Sequence, residues 1–285
     1  MAKALRMRVS DMDQKLITKY EYLKADLARY KKVIVAFSGG VDSSLVAFVA
    51  AQELGGGALA VTSGSASLKR SDLDLTRHLA GRWNMQHEVI NTDELDNPVY
   101  RANPVNRCYY CKSSLYTLLA ELAERKGYSF ILNGTNCDDL GDHRPGLVAA
   151  TEYQIRSPLV DAGFGKVDIR QLSAHLGLEN AHKPQSACLS SRFPYGTEIS
   201  LELLNQVESA ESVLADLGFT QFRVRHHDDV ARLEIGKEEL GRALGMADEL
   251  QARIKDCGYR FVALDLGGFR SGALNEGVIP VRQVT

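Results

Sequence analysis

Apolar residues recur along the first half of this chain with two alternating periods. Short runs rich in valine, isoleucine and alanine predict buried strands, and apolar positions three or four residues apart predict the helices between them. In chain order the pattern predicts helix 13–30, strand 33–37, helix 45–54, strand 58–62, helix 72–83, strand 86–90, helix 113–126 and strand 128–133. This alternation predicts a parallel sheet with helices on both faces.

The pattern changes near Gly163. The second half predicts helices 168–176, 201–217 and 237–257 and strands 222–225, 230–235 and 260–265. Consecutive strands without an intervening helix are typical of an α+β arrangement. We therefore expect two domains: an α/β domain with a parallel sheet over residues 1–165, and a smaller α+β domain over residues 166–285 for substrate binding or oligomerisation.

The loop after the first predicted strand carries the most specific chemistry. Strand 33–37 runs directly into the string Ser38-Gly39-Gly40-Val41-Asp42-Ser43, and an apolar helix follows. The glycines allow a positive φ and a close approach to a ligand, and the serine hydroxyls can donate hydrogen bonds to phosphate oxygens. A helix N-terminus also favours a bound anion. The loop is therefore predicted to bind phosphate, although it lacks the lysine that ends a Walker loop.

Two further features belong to the same predicted site. Gly134 lies in the turn after strand 128–133, and the carboxyl ends of parallel strands meet at one edge of the sheet. Asp42 is acidic and would repel phosphate by itself, so we expect it to cap the helix or to hold Mg²⁺ between phosphates. The predicted ATP-binding residues are Ala36, Ser38, Gly39, Gly40, Asp42, Ser43 and Gly134.

Composition limits the classes of partner. The chain has 285 residues, 34 basic and 36 acidic side chains and a formal net charge of −2. Because no basic excess is available to hold a polyanion, we expect a small-molecule substrate and no nucleic acid. No segment has the length and apolar character of a signal peptide or a membrane span, which predicts a cytoplasmic protein without a membrane partner.

Three of the five cysteines are candidates for catalysis and metal binding. Cys108 and Cys111 precede the predicted helix 113–126, so they would share one face at a helix start, where thiol pKa values are lowered. Cys188 lies in the loop that leads to the second half. Three interpretations stay open: thiolate ligands of a [4Fe–4S] cluster, a zinc site, or metal-free catalytic thiols with Cys188 as nucleophile or persulfide carrier.

The loop resembles the SGGxDS PP-loop of the N-type ATP pyrophosphatases, which adenylate an oxygen of their substrate and let a nucleophile displace AMP. Within that superfamily the chain resembles the LarE family. The strings that carry the second resemblance are Gly141-Asp142-His143-Arg144-Pro145-Gly146-Leu147, Ser190-Ser191-Arg192-Phe193-Pro194-Tyr195-Gly196-Thr197, Phe222-Arg223-Val224-Arg225-His226 and Asp265-Leu266-Gly267-Gly268-Phe269-Arg270-Ser271-Gly272.

LarE proteins are ATP-dependent sulfur transferases of nickel-pincer nucleotide cofactor synthesis. The resemblance implies that the chain uses ATP and Mg²⁺ to adenylate the carboxylates of pyridinium-3,5-biscarboxylic acid mononucleotide and replaces oxygen by sulfur. It also implies a homo-oligomer, a hexamer. Some members have a single cysteine that gives up its own sulfur. The three cysteines here resemble instead the variant in which a [4Fe–4S] cluster carries the sulfur.

Four residues of the second half are expected at the substrate. Arg223 and Arg225 point to one face of a predicted strand, and a guanidinium fork suits phosphate there, as it does at Arg192. Glu211 matches an acidic LarE position near the substrate phosphate, which implies a role at that phosphate, directly or through a metal.

Two other functions stay open on the sequence alone. Another PP-loop enzyme, either a transfer-RNA thiolation enzyme or an ammonia-using amide synthetase, would carry the same loop. Cysteines without influence on activity would favour the synthetase, and RNA binding would favour the thiolation enzyme. A regulator that binds nucleotide or zinc without catalysis would release no pyrophosphate.

Overall fold

The computed structural model describes residues 12–140, 145–270 and 272–275. Of the predicted signature strings, residues 141–144 and Ser271 lie outside this described part. In chain order the regular elements are α1 (Gln14–Ala28), β1 (Val33–Ala36), α2 (Val41–Leu54), β2 (Ala58–Ser63), α3 (Arg70–Arg82), β3 (Gln86–Ile90), α4 (Pro98–Arg101), α5 (Arg107–Lys126), β4 (Phe130–Leu132), α6 (Pro145–Glu152), α7 (Pro158–Asp161), α8 (Lys166–His175), α9 (Leu201–Asp216), β5 (Phe222–His227), β6 (Val230–Ile235), α10 (Leu240–Gly245), α11 (Ala247–Asp256) and β7 (Phe261–Leu264).

The chain divides into two compact units. Unit 1 combines the chain up to Asn97 with Asn106–Ser186, and unit 2 combines Pro98–Val105 with the chain from Ala187 onward. The sequence pattern placed its division at 165/166 instead. The difference arises because α8 buries Ile169 and Leu172 in the main apolar core of unit 1.

Unit 1 contains the predicted parallel sheet, with strand order β3-β2-β1-β4. Its central strand β1 is a buried run of valine, isoleucine and alanine, in register with β2 from Val33 opposite Ala58 and with β4 from Val33 opposite Phe130. One core packs α1, α2 and α8 against the sheet, and a second packs α5 and α6 against it. Both faces are covered, as expected of a parallel sheet.

Unit 2 has an α+β arrangement, as the sequence pattern predicts. Strands β5 and β6 form an antiparallel hairpin through Asp228 and Asp229, with Asp228 at φ 50°, and β7 pairs parallel to β6. An apolar core joins α9, α10 and α11 to this sheet. The segment Pro98–Val105 belongs here because Asn103 donates a side-chain hydrogen bond of 2.8 Å to the carbonyl of Pro194.

Several predicted boundaries were wrong. Helix α5 begins at Arg107 rather than Ser113, so the two neighbouring cysteines lie inside its first turns. The helix predicted over 237–257 is divided into α10 and α11 at Gly245 and Met246, where glycine lowers helix propensity. Within the described residues, no helix combines the length and apolar character needed to cross a membrane.

Candidate functional site

The loop between β1 and α2 is closed by its own serines. The hydroxyl of Ser43 accepts from the backbone N–H of Ser38 at 3.2 Å, lies 3.1 Å from the Ser38 hydroxyl and donates to the carbonyl of Gly40 at 3.2 Å. Gly39 has a φ of 70°, and Gly40 is the N-cap of α2. The turn is therefore held in one shape, and the first N–H groups of α2 are directed to the carboxyl end of β1.

Gly134 lies so close to this loop that a residue with a Cβ atom would not fit in its place. A Cβ atom built on it would lie 2.5 Å from the backbone nitrogen of Ser43 and 2.8 Å from its Cα. The turn that contains Gly134 is fixed by Asn133, whose side-chain oxygen accepts from the backbone N–H of Thr135 at 3.0 Å and from the Ser157 hydroxyl at 2.9 Å. The turn after β4 therefore forms one wall of the loop.

Asp42 does not cap α2, because Gly40 occupies the N-cap position. Its carboxylate instead forms an ion pair with Lys166, at the start of α8. Burial raises the pKa of Asp42, and the bond to Lys166 opposes that rise. One carboxylate oxygen, Oδ1, is buried without a hydrogen-bond partner among the described residues. An orphaned carboxylate oxygen beside a phosphate-binding loop fits the role of an Mg²⁺ ligand.

A segment from far along the chain covers the other side of the loop. The side-chain amide of Asn180 donates to the carbonyl of Gly39 at 2.9 Å and to the hydroxyl of Ser44 at 2.8 Å. Lys183 pairs with Asp72, at the start of α3, at 2.7 Å. The local sequence pattern does not mark four of the residues around the loop, namely Lys166, Asn180, Lys183 and Asp72.

The candidate cysteines are distributed between the two units. Cys108 is exposed and Cys111 half-buried, and both lie in the first turns of α5, in unit 1. Cys188 is half-buried and lies in unit 2, just before the short 3₁₀ turn Leu189–Arg192. None of the five cysteines, all within the described residues, forms a disulfide bond. Two thiols three residues apart in the first turns of one helix suit two ligands of a cluster, and the third thiol belongs to the other unit.

The two remaining cysteines have local contacts. The thiol of Cys137 lies 3.9 Å from the carbonyl of Val160, and that of Cys257 lies 3.4 Å from the carbonyl of Arg253. Burial raises the pKa of Cys257. Among the described residues, no three or more His, Cys, Asp or Glu side chains form a group that could share a metal ion.

In unit 2, Arg192 and Glu211 form a buried bidentate pair. The guanidinium Nε and Nη2 donate to the two carboxylate oxygens at 2.8 and 3.1 Å, and Nη1 donates to the carbonyls of Ala187 and Cys188 at 2.8 and 3.1 Å. The same carboxylate accepts from the backbone N–H of Val224 at 3.2 Å. Arg192 therefore holds the segment around Cys188 as well as the helix α9.

Arg223 and Arg225 lie on β5 beside this pair, both buried. Arg225 pairs with Glu234 at 2.9 Å and donates to the carbonyl of Ser191 at 2.6 Å. The Nη2 of Arg225 is buried without a hydrogen-bond partner among the described residues. Arg223 stacks 4.8 Å from the ring centre of Phe269. Burial, together with the charges of Arg192 and Arg225, lowers the pKa of Arg223 to about 10.

The structure thus brings the four predicted unit 2 residues together, with one addition. Three buried guanidinium groups, Arg192, Arg223 and Arg225, face two buried carboxylates, Glu211 and Glu234. The partly exposed Arg232 also pairs with Glu234 at 3.2 Å, and with Asp265 at 3.4 Å. The cluster therefore has one positive charge in excess, and it is closed to solvent on most sides. Such an arrangement favours an anion with several oxygen acceptors, such as a phosphate monoester.

Comparison with known proteins agrees with this geometry. Residues 23–142 match the family model described as asparagine synthase. The chain is 43% identical over 266 residues to an uncharacterised protein of Synechocystis, covering 92% of this chain and 98% of the relative. It is 38% identical over 271 residues to the pyridinium-3,5-bisthiocarboxylic acid mononucleotide synthase of Lactiplantibacillus plantarum, covering 95% and 98%. It is 25% identical over 205 residues to a component of the glutamine-hydrolysing GMP synthase of Methanosphaerula palustris, covering 68% and 63%.

Proposed function

This chain belongs to the LarE family of ATP-dependent PP-loop sulfurtransferases, and from that premise we propose that its substrate is pyridinium-3,5-biscarboxylic acid mononucleotide. The enzyme adenylates a carboxylate of the substrate and replaces one oxygen by sulfur, first on one carboxylate and then on the other. The observation that carries the proposal is the serine-closed loop walled by Gly134, in a chain 38% identical over 95% of its length to a synthase of the bisthiocarboxylic product.

Unit 1 supplies the adenylation half of the reaction. The hydroxyls of Ser38 and Ser43 and the backbone around Gly39 and Gly40 hold the phosphates, with Ala36 and Gly134 as the walls of the cradle. A substrate carboxylate oxygen attacks the α-phosphorus, and pyrophosphate leaves with the bonding electron pair. Mg²⁺, held in part by the buried Oδ1 of Asp42, would neutralise charge on the phosphates. The N–H groups at the start of α2 stabilise the departing pyrophosphate.

Unit 2 binds the phosphate of the substrate nucleotide. Arg223 and Arg225 supply donors to its oxygens, and the unpartnered Nη2 of Arg225 supports this role. Arg192 uses three of its nitrogens in bonds within the protein, so we assign it to positioning of the Cys188 segment and to the local positive potential. Glu211 holds Arg192 in turn.

We assign sulfur transfer to the site of Cys108, Cys111 and Cys188. Sulfur held there attacks the carboxyl carbon of the adenylated substrate, and AMP leaves with the former carboxylate oxygen and the bonding electron pair. As three ligands of a [4Fe–4S] cluster the cysteines would leave one iron without a protein ligand, and such an iron can carry the sulfur atom that the substrate receives. The exposed position of Cys108 suits a group that a sulfur donor must reach. Zinc and a metal-free thiol pathway stay as alternatives for the same three residues. We further propose that the enzyme is a homo-oligomer, a hexamer, which light scattering would test.

Isotope tracing tests the reaction class. Substrate labelled with heavy oxygen in both carboxylates should give AMP that carries one labelled oxygen and a product that carries sulfur in its place, by mass spectrometry. AMP without label would contradict adenylation of the substrate.

Asp42→Ala should lower pyrophosphate release strongly, because it removes the orphaned oxygen assigned to Mg²⁺.

Anaerobic purification with iron, sulfide and zinc analysis tests the sulfur site. We expect iron, sulfide and a broad visible absorption, lost in Cys108→Ala, Cys111→Ala and Cys188→Ala but kept in the matched control Cys137→Ala. Iron-free protein that turns over many times would exclude the cluster.

The weaker likeness to GMP synthase favours one alternative, an amide synthetase. Full activity with ammonia in all three cysteine variants would support it.

A further inference from the structure

The PP-loop of this chain has Asp42 before its final serine, Ser43, whereas a Walker loop carries its phosphate-binding lysine just before the final serine or threonine. The structure brings a lysine to the loop from elsewhere. The ammonium group of Lys183 lies 3.4 Å from the carbonyl oxygen of Gly39, the loop residue with positive φ. Its other contact is the carboxylate of Asp72 at 2.7 Å. A cation therefore lies against the phosphate-binding loop although the sequence of the loop contains none.

The backbone that carries Lys183 is fixed to the loop. The side chain of Asn180, which is 5% exposed, donates to the carbonyl of Gly39 and to the hydroxyl of Ser44. From α8, Arg170 donates to the carbonyls of Ala181 and Lys183 at 3.0 and 2.9 Å. The backbone of Lys183 is therefore held in place. Its long flexible side chain allows the ammonium group to reach several positions along the loop.

Within the part of the chain that the structure describes, two lysines reach the loop, and their counter-ions distinguish them. If Lys166 left Asp42, the Asp42 carboxylate would have no hydrogen-bond partner among the described residues, because its Oδ1 already has none. If Lys183 left Asp72, that carboxylate would keep the hydrogen bond from the Ser186 hydroxyl at 2.8 Å and its position in the first turn of α3, where the helix N-terminus favours a negative charge. Lys183 is thus the lysine that can exchange one anion for another.

We propose that Lys183 is the phosphate-binding lysine of this PP-loop: its ammonium group leaves Asp72 and binds the β- or γ-phosphate of ATP. The inference rests on the proposed function, since it assumes that ATP occupies the loop. In the reaction the positive charge of Lys183 offsets the charge that pyrophosphate carries as it departs. Asp72 is the resting counter-ion that keeps Lys183 at the loop in the absence of nucleotide.

The experiment measures the affinity of the full chain for two nucleotides by calorimetry with Mg²⁺. The probes are α,β-methylene-ATP, which is not cleaved at the α-phosphorus, and AMP, which lacks the β- and γ-phosphates. Lys183→Met should weaken binding of α,β-methylene-ATP on the order of tenfold to a hundredfold, as loss of a charge-assisted hydrogen bond does, and change AMP binding less than about threefold. Lys183→Arg, which keeps the charge, should retain most of the affinity.

The matched control is Lys19→Met. Lys19 also pairs with a carboxylate at 2.7 Å, that of Asp168, and is similarly half-buried in unit 1, but it does not contact the loop. Binding of both nucleotides should be unchanged. Equal weakening of both nucleotides in Lys183→Met, or no weakening of either, would overturn the inference and leave the proposed function standing. If the unsubstituted chain binds neither nucleotide, the proposed function and the inference fail together.

Discussion

The two units differ in how the charges at their predicted anion-binding sites are balanced. In unit 1 the PP-loop offers backbone N–H groups and hydroxyls, and each nearby lysine is balanced by one carboxylate, Asp42 for Lys166 and Asp72 for Lys183. In unit 2 the buried part of the cluster holds three guanidinium groups and two carboxylates, and the partly exposed pair of Arg232 with Asp265 leaves that excess of one positive charge unchanged. The first region is electrically balanced at rest, and the second has an uncompensated positive charge.

The difference in burial decides what each charge pair contributes. The side chains of Arg192 and Glu211 are 2% and 4% exposed, whereas those of Lys166 and Asp42 are 31% and 20% exposed. A fully buried pair leaves an unpaired charge in a low-dielectric interior when one partner is removed, and a partly exposed pair does not. We therefore expect substitutions in the unit 2 cluster to act on folding and substitutions at the loop to act on ligand binding.

The largest expected effect is that of Glu211→Ala. It leaves the Arg192 guanidinium buried without its carboxylate, and removal of one partner of a buried pair costs about 3–5 kcal/mol. The free energy of unfolding should fall by that amount. Because the single tryptophan, Trp83, lies in unit 1, its fluorescence follows unit 1, while circular dichroism follows both units. The dichroism transition should therefore move to lower denaturant concentration ahead of the fluorescence transition.

Asp216→Ala is the matched control for that experiment. Asp216 lies on the same helix α9, but its pair with Arg253 is exposed, with the aspartate side chain 70% accessible. Its loss should cost at most about 1 kcal/mol. If the two variants are equally stable, the unit 2 cluster does not determine the stability of its unit, and the proposed contrast between the units is wrong.

Gly134→Ala should produce the next largest effect, on the chemistry of unit 1. The added Cβ would lie 2.5 Å from the nitrogen of Ser43, so the loop or the turn after β4 must move. A displacement of about 1 Å at a catalytic site can cost on the order of a hundredfold in rate, and pyrophosphate release should fall to that extent. In the control Gly81→Ala, where the added atom meets nothing within 4 Å on α3, pyrophosphate release should be unchanged. Unchanged pyrophosphate release by the Gly134→Ala variant would contradict the assignment of Gly134 to the ATP site.

Local features of the fold could be read from the sequence, and tertiary ones could not. The buried valine-rich run of β1 and the glycine pair after it predict a strand, a turn and a helix, because all the determining contacts lie within a few residues. The strand order β3-β2-β1-β4 depends on packing between distant segments. The division into two compact units depends on such packing as well, since α8 is assigned to unit 1 by its contacts with α1 and α2.

The same distinction applies to the site. The serine, glycine and arginine candidates were predicted, because a motif or a strand period marks them. Lys166, Asn180 and Lys183 contact the PP-loop from positions more than a hundred residues away, so no spacing could indicate them. Glu234 was missed for a related reason: only the pairing of β5 with β6 places it opposite Arg223 and beside Arg225.

A smaller effect on stability is expected when an anion binds to the arginine cluster of unit 2. With a pKa of about 10, Arg223 is still a cation at neutral pH, held close to two others. Inorganic phosphate should therefore raise the unfolding midpoint of unit 2, and Arg223→Met should abolish that rise. Arg260→Met is the control, because Arg260 also stacks on a ring, that of Phe261, but is exposed to solvent. An equal phosphate effect in both variants would contradict the assignment.

The pH dependence of Arg223 has a definite sign. Its folded pKa lies below that of an ordinary arginine, so in the pH window that opens at about pH 10 the unfolded chain holds a proton that the folded chain has lost. The free energy of unfolding should rise with pH across that window and be insensitive to this group at neutral pH. Arg223→Met should remove the rise.

The smallest effect concerns His226, which is buried in unit 2 with its ring 3.2 Å from the hydroxyl of Tyr259. Burial lowers the pKa of His226 below 6.5 and outweighs the opposing charge of Asp228. As the pH falls below about 6.5, the unfolded chain binds a proton that the folded chain resists, so unit 2 loses stability, by at most about 1.4 kcal/mol per pH unit for this group. His226→Gln should reduce the loss measured by circular dichroism from about pH 8 to about pH 5 and leave the Trp83 transition unchanged. If the His226→Gln variant loses as much stability at low pH as the unsubstituted chain, other groups cause the loss. The nearest of these in sequence is His227, whose pKa is also lowered.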